Sequence, residues 1–426
     1  MKFTAAGDGA IQRRLPKYYD GFEDVKNFIL KGDARFFNFE STVCKDCFAA
    51  NNSGGTWLRT SPEVLNDTLE FGFNMTTACN NHSFDFGFDG LLQTIENLDR
   101  AGYVHAGAGR NLSEAAAPKY LDLPEGRVAL IACSTSFSPE APAGEQSRRL
   151  PGRPGINAIM VKQTLIVDES GLSALKLIAD KTGVNAHNNI SRREGYLPPL
   201  SDGSFEFGSI SFEKGDKSGI KNTINSADLK RIESMIEEAK FQADYVLVSV
   251  HSHQTEGDTK ENVPKFLQDF ARHLIDCGAN AVIGHGPHLI RPFEIYNGCP
   301  IFYSLGDFIL QLENIECAPE DYYAKQGLTS DANLYRLFEK RTHGFTKSLQ
   351  TQKVMLEAVI PCFEIKKGKL IALEIMPIEL GHGMKHSRIG LPRHDKSGEI
   401  LKRFMEMCKP FEIEMKIEDN IGKVIL

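Results

Sequence analysis

The sequence predicts an α/β protein, and three observations predict it. Apolar runs of strand length alternate with stretches of helical period through the first third of the chain and again from about residue 226. One of these runs is apolar at nearly every position, as expected of a strand buried on both faces. The runs also end on carboxylates, amides and histidines, in the loops that meet at one crevice when parallel strands share a sheet.

Taken in order, residues 2–6 are the first expected strand, ending at Gly7-Asp8. Residues 34–37 are the second, ending at Asn38-Phe39-Glu40, and residues 74–78 the third, ending at Cys79-Asn80-Asn81-His82. Leu91, Leu92, Ile95 and Leu98 share one helical face, and Gly102 stops that helix. Residues 128–133 are a buried strand. Residues 138–157 are rich in Pro, Gly and Arg, and 185–225 are polar without a sustained period, so 138–225 reads as an insertion or long surface excursion. Ser226 is placed to cap a helix whose stripe is Leu229, Ile232, Ile236 and Ala239. Residues 245–250 form the clearest strand and run into His251-Ser252-His253. A helix with Phe266, Phe270 and Leu274 follows and stops at Gly278. Residues 281–283 are a strand ending at Gly284-His285-Gly286-Pro287-His288, and 300–305 another ending at Gly306-Asp307. Residues 311–350 are charged and irregular, a lid-like helical segment or a surface loop. Residues 354–365 and 370–378 form a hairpin turning at Lys367-Gly368. The expected organisation is one domain over 1–385, carrying the insertion and the lid-like segment, then a helical and strand extension over 386–426.

Composition bounds the function. With 49 Lys and Arg against 56 Asp and Glu, the chain has a net charge of −7 and lacks the basic excess of a general nucleic-acid binder. No apolar run reaches the length of a spanning helix. Asp8 interrupts the N-terminus too early for the apolar stretch of a signal peptide, so no membrane span and a cytoplasmic location are expected. Nine scattered cysteines suit reduced thiols. Cys44 and Cys47 form a Cys-x-x-Cys, but no second pair stands at zinc-site spacing.

The strand ends carry the chemistry. Asp8, Glu40, Asn81-His82, His251 with His253, and His285-x-x-His288 lie at five separate strand–loop junctions. Oxygen and imidazole donors without thiolate suit borderline to hard divalent ions such as Mn, Fe, Zn or Co. Two carboxylates, an amide and at least three imidazoles exceed the needs of one tetrahedral ion. They match two ions about 3.5–4 Å apart that share a carboxylate. Taken singly, each element has an ordinary reading: a turn, a packed histidine, a helix cap.

At these residues the sequence resembles the CapA/PgsA family of poly-γ-glutamate (capsule) biosynthesis proteins, within the calcineurin-like metallophosphoesterase superfamily. The resemblance is carried by Gly7-Asp8, Asn38-Phe39-Glu40, the run from Asn80 to Gly87, Gly107-Ala108-Gly109, Val248-Ser249-Val250-His251, Gly284 to His288 and Ile301 to Ile309. It implies a metallophosphoesterase-like four-layer α/β/β/α sandwich with two facing mixed sheets. It implies that Glu40 bridges two divalent ions (Mn, Fe or Zn), with Asp8 and His288 on the first and Asn81, His251 and His285 on the second. His82 would be the acid that protonates the leaving group. The sequence departs from the superfamily pattern at Asp8, which lacks the usual Asp-x-His histidine, at Glu40 in place of Asp, and at His251-Ser252-His253.

Several further positions stay open. His253 is an extra ligand or substrate contact, or a surface histidine. Asp307 orients a histidine or caps a loop. Asp85 hydrogen-bonds His82 or caps the following helix. Arg148, Arg149 and Arg153 clamp an anionic substrate or are solvated, and Glu256 and Asp258 read as solvated charges. The function implied is a hydrolase in which a hydroxide shared by two metal ions attacks a phosphoester or (γ-glutamyl) amide, with an anionic small molecule or polymer as substrate. The alternative is a non-catalytic capsule-polymer assembly or binding protein with a structural metal site.

Overall fold

Side-chain alternation organises the first two strands, β1 (Lys2–Ala10) and β2 (Ala34–Phe39). In β2, Ala34 and Phe36 face one apolar core, and Phe37 and Phe39 face another. Both faces of the strand are therefore buried, which explains its nearly unbroken apolar run. The computed structural model describes residues 1–426 apart from 18, 46–47, 53–54, 202 and 313–317. The described chain divides into two compact units, 1–158 with 230–426, and 159–229.

The first unit is mixed α/β and is built on two large mixed sheets. The elements that build and cover these sheets run in order as β1, α1 (Phe22–Ile29), β2, β3 (Met75–Thr77), α2 (Gly87–Ala101), β4 (Val104–Ala106), β5 (Lys119–Leu123), β6 (Gly126–Ser134), α3 (Ser226–Gln242), β7 (Tyr245–His251), α4 (Lys265–Cys277), β8 (Ala281–His285), β9 (Ile290–Tyr296), β10 (Cys299–Leu305), β11 (Asp307–Leu310), β12 (Glu357–Lys366), β13 (Lys369–Glu379), α5 (Glu399–Cys408), β14 (Glu414–Glu418) and β15 (Ile421–Ile425), with shorter elements between them. The larger sheet has the order β14-β15-β13-β12-β1-β2-β3-β4, with β11 also paired to β1. Its β1 to β4 half is parallel, and its β12 to β15 half is antiparallel. The second sheet has the order β9-β10-β8-β7-β6-β5 and is parallel from β6 through β10.

One hydrophobic core draws on both sheets: Phe3, Phe36 and Phe363 from the first, Leu130, Leu247 and Phe302 from the second. Rings of the two sheets touch directly, Phe3 with Tyr245 at 5.5 Å and Phe302 with Phe363 at 5.6 Å between centroids. The other face of the larger sheet packs on Val25 and Ile29 of α1.

Several sequence expectations shift by a few residues for physical reasons. β1 continues through Gly7-Asp8 to Ala10, because β2 and β11 both pair with that end. The cap of α3 is Asn225, whose side-chain oxygen accepts from the amides of Ala227 and Asp228; Ser226 is already helical. Gly102 and Gly278 terminate α2 and α4 in the left-handed conformation. The β12–β13 hairpin turns at Lys367-Gly368, both at positive φ, 50° and 72°. Within 185–225 the chain forms the helix Ala186–Arg193 and strands Ser204–Phe207, Ile210–Lys214 and Gly219–Ile224. With Val161–Val167 these strands make a four-stranded sheet whose side chains are mostly half-buried or exposed, so no apolar period marks them. In 311–350, helices Glu320–Lys325 and Leu334–Arg341 join a small core of Cys44, Trp57, Phe86, Tyr322, Tyr323 and Leu337. The seven described cysteines carry no disulfide, and Cys47 and Cys317 lie outside the described residues. No helix among the described residues is long and apolar enough to cross a membrane.

Candidate metal centre

The C-terminal ends of strands from both sheets deliver the polar groups. Asp8 sits in β1 beyond a register slip at Ala6, held by its amide on the Gly306 carbonyl. Gly7 permits this approach: a Cβ there would lie 1.8 Å from the Gly306 carbonyl oxygen. Glu40 follows β2, its amide bonded to the Gly9 carbonyl. Asn81 and His82 follow β3. His251 and His285 end the neighbouring parallel strands β7 and β8 and pair in register. His288 stands at φ 62°, a left-handed conformation that costs a non-glycine residue about 1–2 kcal/mol. Asp307 opens β11.

These groups converge. Nδ1 of His251 lies 2.8 Å from Nδ1 of His285 and 3.8 Å from Asp8 Oδ1. Nε2 of His251 lies 2.7 Å from Asn81 Oδ1, 2.9 Å from His253 Nε2 and 3.6 Å from Glu40 Oε1. His288 Nδ1 lies 2.9 Å from Asp307 Oδ1. Three groups of donor atoms are close enough to surround an ion: Asp8, His251 and His285; Glu40, His251 and His253; and Asp8, Glu40, His288 and Asp307. All but His253 are buried. The structure therefore brings Asp8, Glu40, Asn81, His251, His253, His285 and His288 together, and of the two readings of Asp307 it shows the carboxylate beside a histidine, His288.

The electrostatics are those of a site short of positive charge. Both Glu40 oxygens and Asp307 Oδ2 are buried without a hydrogen-bond partner. Such orphaned oxygens are costly unless a cation or proton meets them. Burial, then the charges of Asp8, Asp307 and Asp85, push Glu40 well above the usual carboxylate range. Burial likewise raises Asp307 to about 6. Asp8 moves the other way: burial would raise it, but hydrogen bonding and charge from His285, with His288 and Asn38, lower it. Burial, reinforced by neighbouring imidazoles, holds His251 and His253 well below the ordinary histidine range, so they are neutral with lone pairs to offer. The donor chemistry, the convergence and the orphaned carboxylate oxygens fit divalent cations.

His82 lies beside this centre. Its Nδ1 is 2.7 Å from Asp85 Oδ2, and its Nε2 is 4.0 Å from Glu40 Oε1. The other Asp85 reading, a helix cap, does not apply: Phe86 precedes α2, and Asp85 Oδ2 also accepts from the Leu58 amide. Glu256 accepts from the Lys265 amide at the start of α4, and Asp258 is exposed. Arg148 and Arg149 are exposed, and Arg153 donates to the Pro142 carbonyl in its own hairpin.

Sequence reasoning missed three contributors. The Asn38 amide bonds Asp8 Oδ1 at 2.6 Å and lies 3.4 Å from His251 Nδ1. Its signal was available, since Asn38 and Glu40 are two apart along one strand direction and share a face. Ser249 Oγ, two residues before His251, lies 2.7 Å from His285 Nε2 and fixes that ring. Lys260, half-buried, brings a positive charge near Asp307 and His288, and no periodicity marks it.

Comparisons with known proteins agree on one family. The profile described as "Bacterial capsule synthesis protein PGA_cap" matches residues 2–312. "Uncharacterized protein y4sH" of Sinorhizobium fredii (strain NBRC 101917 / NGR234) is 31% identical over 99% of this chain and 92% of its own length. "PGA biosynthesis protein CapA" of Bacillus subtilis (strain 168) is 25% identical over 68% of this chain and 56% of its own. A "Probable polyglutamine synthesis accessory protein" of Mycobacterium tuberculosis is 24% identical over 66% of this chain and 57% of its own. The chain thus matches little more than half the length of the last two.

Proposed function

Since the chain belongs to the PGA_cap family of bacterial capsule synthesis proteins, we propose that it is a hydrolase dependent on two divalent cations (Mn, Fe or Zn), acting on a phosphoester or a (γ-glutamyl) amide. The observation that carries the reading is Glu40: a fully buried carboxylate with both oxygens unpartnered, shared by the donor group of Asp8, His288 and Asp307 and by that of His251 and His253. Asp8, Glu40 and His288 would hold one cation, with Asp307 in reach. Glu40, Asn81 and His251 would hold the second, with His253 in reach; His285, which the resemblance assigns to the second ion, stands with Asp8 and His251. Bound there, such ions acidify water and neutralise charge growing on a substrate oxygen.

The chain's own residues do the rest. Hydrolysis adds hydroxyl to phosphorus or carbonyl carbon and a proton to the departing oxygen or nitrogen. Asp85 fixes the His82 ring through Nδ1 and leaves Nε2 facing Glu40, placed to carry that proton. Asn38 and Ser249 lock Asp8 and His285 in place. Lys260 adds a cation that suits an anionic substrate, a small molecule or a polymer. We read the two sheets as the inner layers of a four-layer α/β/β/α sandwich, supported by their shared aromatic core, and 159–229 as an insertion into the catalytic domain.

A second reading has support in the relatives' names, which speak of biosynthesis and of an accessory role: an assembly protein with a structural metal site. Elemental analysis of protein purified without chelator is the first test, with at least two ions per chain expected. A metal content near zero would remove the hydrolase. A panel of phosphoesters and γ-glutamyl amides with added Mn then separates the two readings: turnover supports the hydrolase, and full metal loading without turnover supports the accessory role.

A further inference from the structure

A second convergence of metal-binding side chains lies on the helices α3 and α4. His273 and Cys277 are four apart on α4 and so stand one above the other on a single face. Glu233 reaches them from α3. His273 Nε2 is 2.7 Å from Glu233 Oε1 and 3.5 Å from Cys277 Sγ. All three side chains are partly exposed, which leaves an approach from solvent.

We propose that Glu233, His273 and Cys277 form a three-ligand site for a borderline divalent cation, zinc or cobalt, completed by water. Carboxylate, imidazole and thiolate together are the donors such ions take. The spacing can be checked against bond lengths. A tetrahedral zinc with the usual Zn–S and Zn–N distances separates sulfur from nitrogen by about 3.6 Å, and the structure holds them 3.5 Å apart. The same geometry needs about 3.4 Å between nitrogen and oxygen. Glu233 must therefore withdraw from its 2.7 Å hydrogen bond, which a side chain 37% exposed can do by a rotamer adjustment.

An ordinary ion pair accounts for only part of this arrangement. A single imidazole N–H serves the carboxylate well and the sulfur only as the weak arm of a shared bond, whereas one cation engages all three. The other charged neighbours are held elsewhere: Lys240 donates to the Cys277 carbonyl, and Asp276 accepts from Tyr296 and Asn297. Burial and the charges of Glu233 and Asp276 raise the Cys277 thiol, so metal entry must displace its proton to solvent as the metal–sulfur bond forms.

The test is a cobalt(II) titration of the reduced, metal-stripped full chain, followed by absorption. Thiolate ligation gives a sulfur-to-cobalt charge-transfer band in the near ultraviolet, which carboxylate and imidazole donors at the first centre do not produce. The band is expected in the native chain and absent in Cys277→Ser. Glu233→Gln should keep the band but need at least about tenfold more cobalt, since losing even a partner of a ligand commonly costs 10–100-fold. Zinc bound after equilibrium dialysis should fall by one equivalent in Cys277→Ser. A band of full strength in Cys277→Ser, or no band in the native chain with equal zinc in both, would overturn the site. Circular dichroism of the variants confirms that they fold.

Discussion

Glu40 shows how one side chain can be read from its surroundings. A carboxylate buried among other carboxylates has no reason to persist unless a cation meets it. Glu40→Gln should lower bound metal by at least one equivalent and reduce any turnover by at least about 10²-fold, since even supporting groups around metals commonly cost 10–100-fold. Elemental analysis and the substrate panel measure both. Cys44→Ser, in the aromatic core around Trp57, should change neither. His105 tests the electrostatics away from the centre. Burial, partly offset by Asp99, lowers its folded value below the ordinary 6.5. The folded chain therefore resists protonation that the unfolded chain accepts. The stability from neutral His105 is present above about pH 6.5 and is lost as pH falls, by at most about 1.4 kcal/mol per pH unit. The melting temperature should drop less between pH 7 and 5 in His105→Gln than in the native chain; equal drops would contradict the assignment. At this scale the ligand types were legible, because histidines and carboxylates at strand ends are visible in one dimension. The contacts of Lys260 were not, because they depend on which segments become neighbours in the fold.

Elements were legible where burial was complete and ambiguous where it was partial. β7 is apolar at nearly every position and is read directly. The strands of 204–224 alternate weakly because their faces are half-exposed, and local pattern has little to report. β12 carries the sharpest consequence at this scale. Phe363 is fully buried, stacked on Phe3 at 5.2 Å, and touches Phe302 of the second sheet. Phe363→Ala removes that bridge and leaves a cavity, for a loss of about 3–5 kcal/mol. A urea titration should show a lower midpoint with an unchanged slope. A loss under about 1 kcal/mol would mean that the two sheets do not depend on this core.

At the scale of the whole molecule, the chain's path argues that 159–229 can be removed. That segment forms a compact unit of its own. The segment is pinned at a narrow neck: the Asn225 amide bonds the Met160 carbonyl at 2.9 Å, and Val161 pairs with Ile224. An excision of residues 161–224 joins two backbone positions that are already neighbours, so a short Gly-Ser linker spans the gap at small entropic cost. Neither the metal ligands nor the shared aromatic core lies within the excised stretch. The shortened chain should express as a folded protein, unfold in one cooperative step and bind the same number of ions at the first centre. If it retains its metal but loses turnover on a large substrate while keeping it on a small one, the segment contributes to substrate binding. If it fails to fold with the linker in place, the two units are one cooperative body, and an independent insertion is the wrong description.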